Sequence, residues 1–451
     1  MARTAKKETA LTPEEKLAQA LVSEAEQPYQ VPENWCWVTH NSILDISGGA
    51  QPDKSHFISE QREGYTQLYQ TRDYGEHPVP VYIPDRYATK TTDAGDILLA
   101  RYGGSLGKVF HARKGAYNVA LAKVIRLYPS ILNDEFLYQY YLSHFYQEFC
   151  IKAASGRSAQ AGFNRNDMEE LLFPLPPLAE QQRIVDRIES LFAKLDEAKD
   201  KAQEVVDGYD ARRAAILHKA FTGELTAEWR KSKNTSLESW LTQTLKDSCS
   251  IGSGGTPSRK NPEYFDGLIP WIKTGEIDWN EIYDSEEHIS QSAIDNSSAK
   301  LYPIGAVLVA MYGMGATRGR AAILNVDATT NQAVCVLQPK DYLVNRFLFY
   351  YFMCNYWDVR EKAVGGNQLN LSATIIAKFD IRIPTIDEQK EIIRILDSLL
   401  LKEQQAKETA EQVIDQIDTM KKSILARAFR GELGTNDPND ESAIELLKRV
   451  P

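Results

Sequence analysis

Two stretches decide the architecture: Pro176-Pro-Leu-Ala-Glu180-Gln181-Gln-Arg-Ile184 and Pro384-Thr-Ile-Asp-Glu388-Gln389-Lys-Glu-Ile392. A second pair matches as well, Ala215-Ile-Leu-His-Lys-Ala-Phe-Thr-Gly-Glu-Leu225 with Ser423-Ile-Leu-Ala-Arg-Ala-Phe-Arg-Gly-Glu-Leu433. Pro176 to Pro384 is 208 positions, and so is Ala215 to Ser423. A register kept without a gap over that span is how a helix packed in a fixed register behaves. Upstream the repeat is looser. Gly95-Asp-Ile-Leu-Leu-Ala-Arg-Tyr-Gly103 matches Gly305-Ala-Val-Leu-Val-Ala-Met-Tyr-Gly313, and Phe136-Leu-Tyr-Gln-Tyr-Tyr141 matches Phe347-Leu-Phe-Tyr-Tyr-Phe352, with a drift that places small insertions in loops. The chain reads as a tandem duplication, each half a variable globular domain followed by a long helix.

After Pro177 the spacing of three and four runs through Ile188, Leu191, Leu195, Ala198, Ala202, Val205 and Tyr209, an expected coiled-coil seam. The second copy gives Leu396, Leu399, Ala406, Ala410, Val413, Ile417 and Met420, with Glu403 the one charged intruder. Gly223 and Gly431 supply the stops. Each helix should span roughly 65 Å at 1.5 Å per residue. A short connection makes antiparallel pairing the easier solution. The expectation is an α+β chain: two tandem domains separated by two long helices that form an antiparallel coiled coil with pseudo-twofold symmetry.

The expected segments are an N-terminal helical stretch (1–30), domain one (31–177), a central long helix (178–229), a linker with domain two (230–384), a distal long helix (385–433) and a C-terminal segment (434–451). The polar run 230–236 reads as linker. Strands are expected at 79–83, 97–102, 119–127, 269–273, 307–312 and 333–337, with a helix starting near Asn133 or Asp134 and its mate near Asn345. Tyr138, Tyr141, Phe145 and Phe149 lie at helical spacing and read as core. Thr12 should cap a helix beginning at Pro13, and a last helix should run over 441–449.

Composition excludes several classes. The 451 residues are 43% apolar and 25% charged, which rules out a disordered or collagen-like chain. The longest apolar stretch, around 304–314, is broken by glycines and is too short to span a bilayer, so no membrane anchor is expected. The N-terminus lacks the apolar run of a secretory signal, and the five cysteines are odd in number and scattered; both fit a reducing cytoplasm. A net charge of −10 argues against a chain that grips phosphates over its whole surface.

Basic residues nevertheless cluster in the glycine-rich turns that follow the repeated strand. In one copy these are Arg101, Tyr102, Ser105 and Lys108; in the other, Tyr312, Thr317, Arg318 and Arg320. Small residues let backbone approach a ligand, and the neighbouring cations and hydroxyls suit phosphate oxygens or base edges. Thr71, Arg72, Asp73 and Tyr74, together with Ser258, Arg259, Lys273, Thr274 and Glu276, sit where strand ends could reach a groove; there Arg reads guanine and a carboxylate accepts from cytosine. Basic residues would then concentrate on one face, with the acid on the helices and rear surfaces.

Catalytic motifs are near misses. Gly103 to Lys108 falls one residue short of a phosphate-binding loop and has Val109 where Ser or Thr must meet magnesium. Asn261-Pro-Glu-Tyr264 departs from the Asn-Pro-Pro-Tyr of adenine methyltransferases at Glu263, and no cofactor strand and glycine loop precedes it. Glu388-Gln-Lys390 is a helix start, since its mate is Glu180-Gln-Gln182. The seven histidines show no metal-ligand spacing, and no catalytic or metal site is expected.

Two variable domains, each closed by an entry such as Pro174-Leu-Pro-Pro-Leu-Ala-Glu-Gln181 or Ile383-Pro-Thr-Ile-Asp-Glu-Gln389 and an exit Ala220-Phe-Thr-Gly-Glu-Leu225 or Ala428-Phe-Arg-Gly-Glu-Leu433, resemble the specificity subunit of type I restriction-modification systems. Ser253-Gly-Gly-Thr-Pro-Ser258 with Ile269-Pro-Trp-Ile-Lys-Thr-Gly-Glu276 looks like a common opening of a target-recognition domain. Domain one departs with Ser47-Gly-Gly-Ala-Gln-Pro52, which suggests a different DNA target. The resemblance implies a non-catalytic subunit whose domains each read half of a bipartite, asymmetric site on double-stranded DNA, with the coiled coil setting the gap. It implies two methylation subunits using S-adenosylmethionine and restriction subunits, the motor-nucleases, using ATP and Mg, with no cofactor on this chain. The competing reading is a coiled-coil scaffold that binds no DNA.

Overall fold

The computed structural model describes residues 13–155, 162–313, 315–364 and 370–450. The Thr12 cap lies outside them. The chain divides into two units, residues 1–201 with 412–451, and residues 202–411. Each therefore holds one mixed lobe, the first part of one long helix and the last part of the other.

In the first unit the strand Ile97–Ala100 is buried at every residue and lies between Leu121–Arg126 and Val109–His111, with Leu44–Gly48 at the edge of a four-stranded antiparallel sheet. An all-apolar run covered on both faces is what Ile-Leu-Leu-Ala dictates. One face meets Phe136, Leu137, Tyr140 and Tyr141 of the helix Asp134–Leu142, whose Asn133 side chain caps it by accepting from the Phe136 N–H at 2.9 Å. The helix stops at Ser143 and a second runs over His144–Ser155, so the aromatic stripe spans two elements: Tyr141 and Phe149 are buried, Tyr138 and Phe145 partly so. A smaller sheet orders Tyr82–Pro84, Tyr65–Tyr69, Gly115–Tyr117 and Thr91–Thr92. Ala443, Leu446 and Leu447 of the helix Ala443–Lys448 are buried in the main core of this unit.

The second unit repeats the strand order with Cys249–Ser253, Val334–Pro339, Val307–Ala310 and Ala321–Leu324, and adds Glu281–Ile282 at the edge. Its smaller sheet is His288–Ile289, Ile269–Ile272 and Thr329–Thr330. The helix Asn345–Cys354 buries Phe347 to Phe352. The run 230–236 is not a plain linker: Ala227–Ser232 is helical and Arg230 is buried.

The distal helix is unbroken over Ile386–Ala428, whereas the central one divides into Leu178–Asp207 and Tyr209–Thr222. At Gly208 the Arg212 guanidinium occupies the space a side chain would need, and its Nη2 donates to the Val205 carbonyl at 2.7 Å. That bond satisfies a carbonyl at the discontinuity.

Within each unit the helix segments run antiparallel. In the first, Lys199 pairs with Asp418 at 3.4 Å and Lys421 with Asp196. In the second, Arg212 meets Glu403 at 2.7 Å and the Tyr209 hydroxyl donates to Gln404 at 2.7 Å. The seam is more polar than the apolar spacing implies. Ile188, Ala202, Leu396, Ala410 and Ile417 are buried, and Leu191, Leu195, Val205, Tyr209, Leu399 and Val413 partly so, but Ala198, Ala406 and Met420 are exposed. The neighbouring lysines take the inward places, Lys407 over the Tyr209 ring at 4.9 Å and Lys421 over Phe192 at 5.1 Å. A lysine stem covers apolar surface while its ammonium stays hydrated, so the burial periodicity passes through charged residues.

Candidate nucleic-acid interface

In each unit the repeated strand ends in the glycine-rich turn and returns as the next antiparallel strand. In the first unit the Ala100 N–H bonds the Lys108 carbonyl at 2.8 Å and the Gly107 N–H the Ala100 carbonyl at 3.1 Å, closing a hairpin that carries Arg101 and Lys108 at its two ends. Gly107 has φ +83, and Gln147 fixes it by donating to its carbonyl at 2.9 Å. Arg101 Nε donates to the Val119 carbonyl at 3.0 Å, its guanidinium lies 4.7 Å from the Tyr102 ring centre, and its nitrogens face Gly48. Lys90, which sequence reasoning missed, donates to Ser47 Oγ at 3.0 Å on the adjoining turn. Only a glycine fits at Gly49, because a Cβ there would collide with the Asn118 carbonyl; Gly254 meets the Thr330 carbonyl in the same way. The Ser-Gly-Gly segments are thus held against the small sheet of their own unit. Arg101 and Lys108 have no carboxylate partner among the described residues; Lys108 is exposed, and Arg101 and Ser105 are half-buried.

The turn Thr71–Tyr74 behaves differently. Asp73 is buried, and its carboxylate accepts from the Gln70 N–H at 2.7 Å and the Val79 N–H at 3.3 Å. It is committed to the backbone, so the expectation that Asp73 reaches a base edge gives way to a turn-closing role. Tyr74 stacks on Phe110 at 4.5 Å, and burial raises its pKa. Thr71 is part-buried, and exposed Arg72 donates to the Val79 carbonyl at 3.4 Å.

The second unit builds the same turn with Glu276, which accepts from the Lys273 N–H at 2.8 Å and the Glu286 N–H at 3.2 Å; it too is engaged locally rather than free to meet cytosine. Three of its four candidate cations are ion-paired. Arg259 meets Glu287 at 2.7 Å and covers Phe265 at 4.2 Å, Lys273 meets Glu286 at 3.0 Å and Glu287 at 3.1 Å, and Arg320 pairs with Asp278. Carboxylate neighbours raise the Lys273 pKa, keeping it charged. Any phosphate must compete with these acids, so the expected separation of basic residues from acidic ones is not met at these three residues. Thr274 is part-buried, Ser258 and Tyr312 are exposed, and Thr317 packs under Gly313. Arg360, absent from the sequence-based candidates, clamps the turn: its guanidinium donates to the Gly315 carbonyl at 2.7 Å and the Arg318 carbonyl at 2.6 Å. Tyr356 adds a bond to the Ala316 carbonyl. A solitary arginine on an amphipathic helix carries no signal of such a contact.

The entry motifs have a structural account. Gln181 Oε1 accepts from the Asn133 N–H at 2.8 Å while its Nε2 donates to the Ile131 and Pro176 carbonyls at 3.0 and 3.1 Å. Gln389 does the same with the Val344 N–H, the Tyr342 carbonyl and the Pro384 carbonyl, each at 2.8 Å. The buried Glu180 receives the Trp35 indole at 2.7 Å, Asn436 at 2.8 Å and Thr435 at 3.2 Å; the buried Glu388 receives the Trp240 indole at 3.0 Å, Thr226 at 2.7 Å and the Arg230 guanidinium. In each unit the glutamine ties the lobe to the start of one helix, and the glutamate ties that start to the residues following the end of the other.

The same latch is built in both units. The family model described as type I restriction modification DNA specificity domain matches residues 32–206 and again 238–415. The chain belongs to this family. A curated relative, the EcoBI specificity subunit of a type I restriction enzyme from Escherichia coli, is 23% identical over 93% of this chain and 92% of its own length. The MjaIX specificity subunit from Methanocaldococcus jannaschii is 29% identical over 39% of this chain and 41% of its own. Among solved structures, the HsdS subunit from Thermoanaerobacter tengcongensis superposes with a TM-score of 0.63 at 18% identity, covering 90% of this chain and all of that one. A chain from a structural study of type I R-M complex assembly and conformational transition gives 0.65 at 20% identity, with the same coverage. The chain is a specificity subunit with two tandem target-recognition domains in an α+β fold, and the scaffold alternative is not favoured. Among the described residues no helix is long and apolar enough to cross a membrane.

Proposed function

We propose that this chain reads a bipartite, asymmetric site on double-stranded DNA, one half per target-recognition domain, with the length of the helices setting the gap. It does so as the non-catalytic member of a cytoplasmic complex with two methylation subunits and restriction subunits. S-adenosylmethionine and ATP with Mg would act on those partners, which methylate adenine and translocate and cut unmodified DNA. The observation that carries this reading is that homologous hairpins present unlike chemistry: Arg101 and Lys108 without a carboxylate partner among the described residues in one unit, and ion-paired Arg320 in a turn that Arg360 clamps in the other. Two copies of one fold with different contact residues are what two different half-sites require. Binding of the chain, assembled with its methylation subunits, to a randomised duplex library over a series of salt concentrations tests it. Enrichment of a two-part motif with affinity falling steeply in salt is expected; absence of any enriched sequence would overturn it.

A further inference from the structure

The small sheet of the first unit buries Leu68, Ile83 and Ala116 on one face. Above its other side lies a cleft of about 460 Å³ whose lining includes Gln61, Tyr65, Gln67, Tyr82, Thr91 and Lys114. Gln67 stands opposite Tyr82 in the register of the strands Tyr65–Tyr69 and Tyr82–Pro84. The side-chain amides of Gln61 and Gln67 and the hydroxyls of Tyr65 and Tyr82 have no hydrogen-bond partner among the described residues, whereas on the same sheet Thr66 donates to Asp85 at 2.7 Å, Thr92 to the Arg113 carbonyl at 2.8 Å and Tyr117 to the Ser47 carbonyl at 3.0 Å. Four uncommitted donor-acceptor groups around one concave surface are a recognition surface rather than a fold-holding one.

The second unit supplies the comparison. Its strand Ile269–Ile272 takes the place of Tyr65–Tyr69, for Trp271 and Ile272 pair in parallel with Thr329 and Thr330 as Leu68 and Tyr69 pair with Ala116 and Tyr117. In that register Pro270 opposite His288 replaces Gln67 opposite Tyr82, and Leu268, 93% exposed, stands for Tyr65. The strand pairing is retained while the side chains at these positions are exchanged, with Pro270 buried where Gln67 is half-buried, and this is where two readers of different sequences must differ.

Resting on the function proposed above, we infer that this cleft is the base-reading surface of the first target-recognition domain and that Gln67 is its specificity-determining residue, taking the major-groove edge of an adenine. A glutamine amide donates and accepts in the pattern that adenine N7 and N6 present. Asp93, which also lines the cleft, repels phosphate from it, so a base edge suits the interior better than the backbone does; the exposed Lys114 serves the strand beside it.

The test uses the chain assembled with its methylation subunits and selection from a randomised duplex library, comparing the unaltered chain with Gln67→Ala, Gln67→Glu and Tyr82→Phe. Gln67→Ala should flatten the preference at one base pair of one half-site from about tenfold or more to within about twofold, leaving the other half-site and the gap unchanged. Gln67→Glu should move that position toward cytosine. Base profiles identical to the parent's in both Gln67 variants, or an equal loss on every sequence, would overturn the inference. If the unaltered complex selects no sequence, the underlying function fails instead. The Gln67 side chain makes no hydrogen bond among the described residues, so unchanged melting is expected in both variants, and Gln67→Glu preserves volume should the alanine variant be unstable.

Discussion

The Trp240 indole nitrogen donates to Glu388 Oε2 at 3.0 Å inside a buried cluster whose other members, Thr226 and Arg230, follow the end of the central helix. Glu388 opens the distal helix, so this carboxylate joins three separate stretches of the second unit. The Arg230 and Glu388 side chains are 9% and 1% exposed, and removing one partner leaves an unpaired charge that water cannot reach. Arg230→Ala should therefore destabilise the second unit by about 3–5 kcal/mol. Glu180, with neutral donors only, should lose about 1–3 kcal/mol on Glu180→Gln. Calorimetry of the full chain checks both, and an unchanged Arg230→Ala thermogram would contradict the latch.

Acid should weaken the first unit through His40. The imidazole is fully buried, and that burial pushes its pKa down to about 4 despite hydrogen bonding to Asn41 and the charge of Asp45. Its neutral form fits, with Nδ1 bonded to Asn41 Oδ1 at 3.0 Å and Nε2 to the Tyr141 hydroxyl at 2.7 Å. Unfolded histidine titrates near 6.5, so between about 6.5 and 4 the unfolded chain binds a proton that the folded one does not, and stability falls as pH falls. The loss across that window should approach roughly 3 kcal/mol and then level off. His40→Gln should remove this part of the pH dependence of melting.

Gly208 and Arg212 should be coupled. Gly208→Ala alone meets the Arg212 guanidinium and gains little, because displacing it frees the Val205 carbonyl. In an Arg212→Ala background the same change should stabilise by about 0.5–1 kcal/mol, the ordinary helix preference of alanine over glycine. A double-mutant cycle reads the difference; equal effects in both backgrounds would remove the coupling.

These predictions mark where the sequence was legible. Glu180-Gln181 and Glu388-Gln389 recur in register and mark both helix starts, yet nothing in a polar pair at a helix start announces that it is buried. Arg230 reads as linker because its partner lies 158 residues away. Apolar identity carries the seam through Ala406 and Met420, whereas Lys407 and Lys421 point inward over aromatic rings. At the reading surface the glycine-rich turns were visible as composition. Asp73 and Glu276 turn toward backbone N–H groups, a choice made by local turn geometry that residue identity does not reveal. Gln67 and Tyr82 become neighbours only through strand register.

Arg101 and Lys108 should act on affinity more than on sequence choice. Each alanine substitution should weaken binding about uniformly across sequences and reduce the slope of log affinity against log salt by about 1. Titrations of one fixed duplex at several salt concentrations measure the slope, and an unchanged slope in both variants would place these cations away from phosphate.

The central claim, that unlike domains read separate halves of one site, is tested most directly by methylome sequencing of cells carrying this chain with its methylation subunits, before and after residues 238–383 are exchanged for the corresponding domain of a relative. The account predicts a two-part methylated motif in which one half changes while the other half and the gap stay fixed. Simultaneous change of both halves, or no change in either, would contradict it.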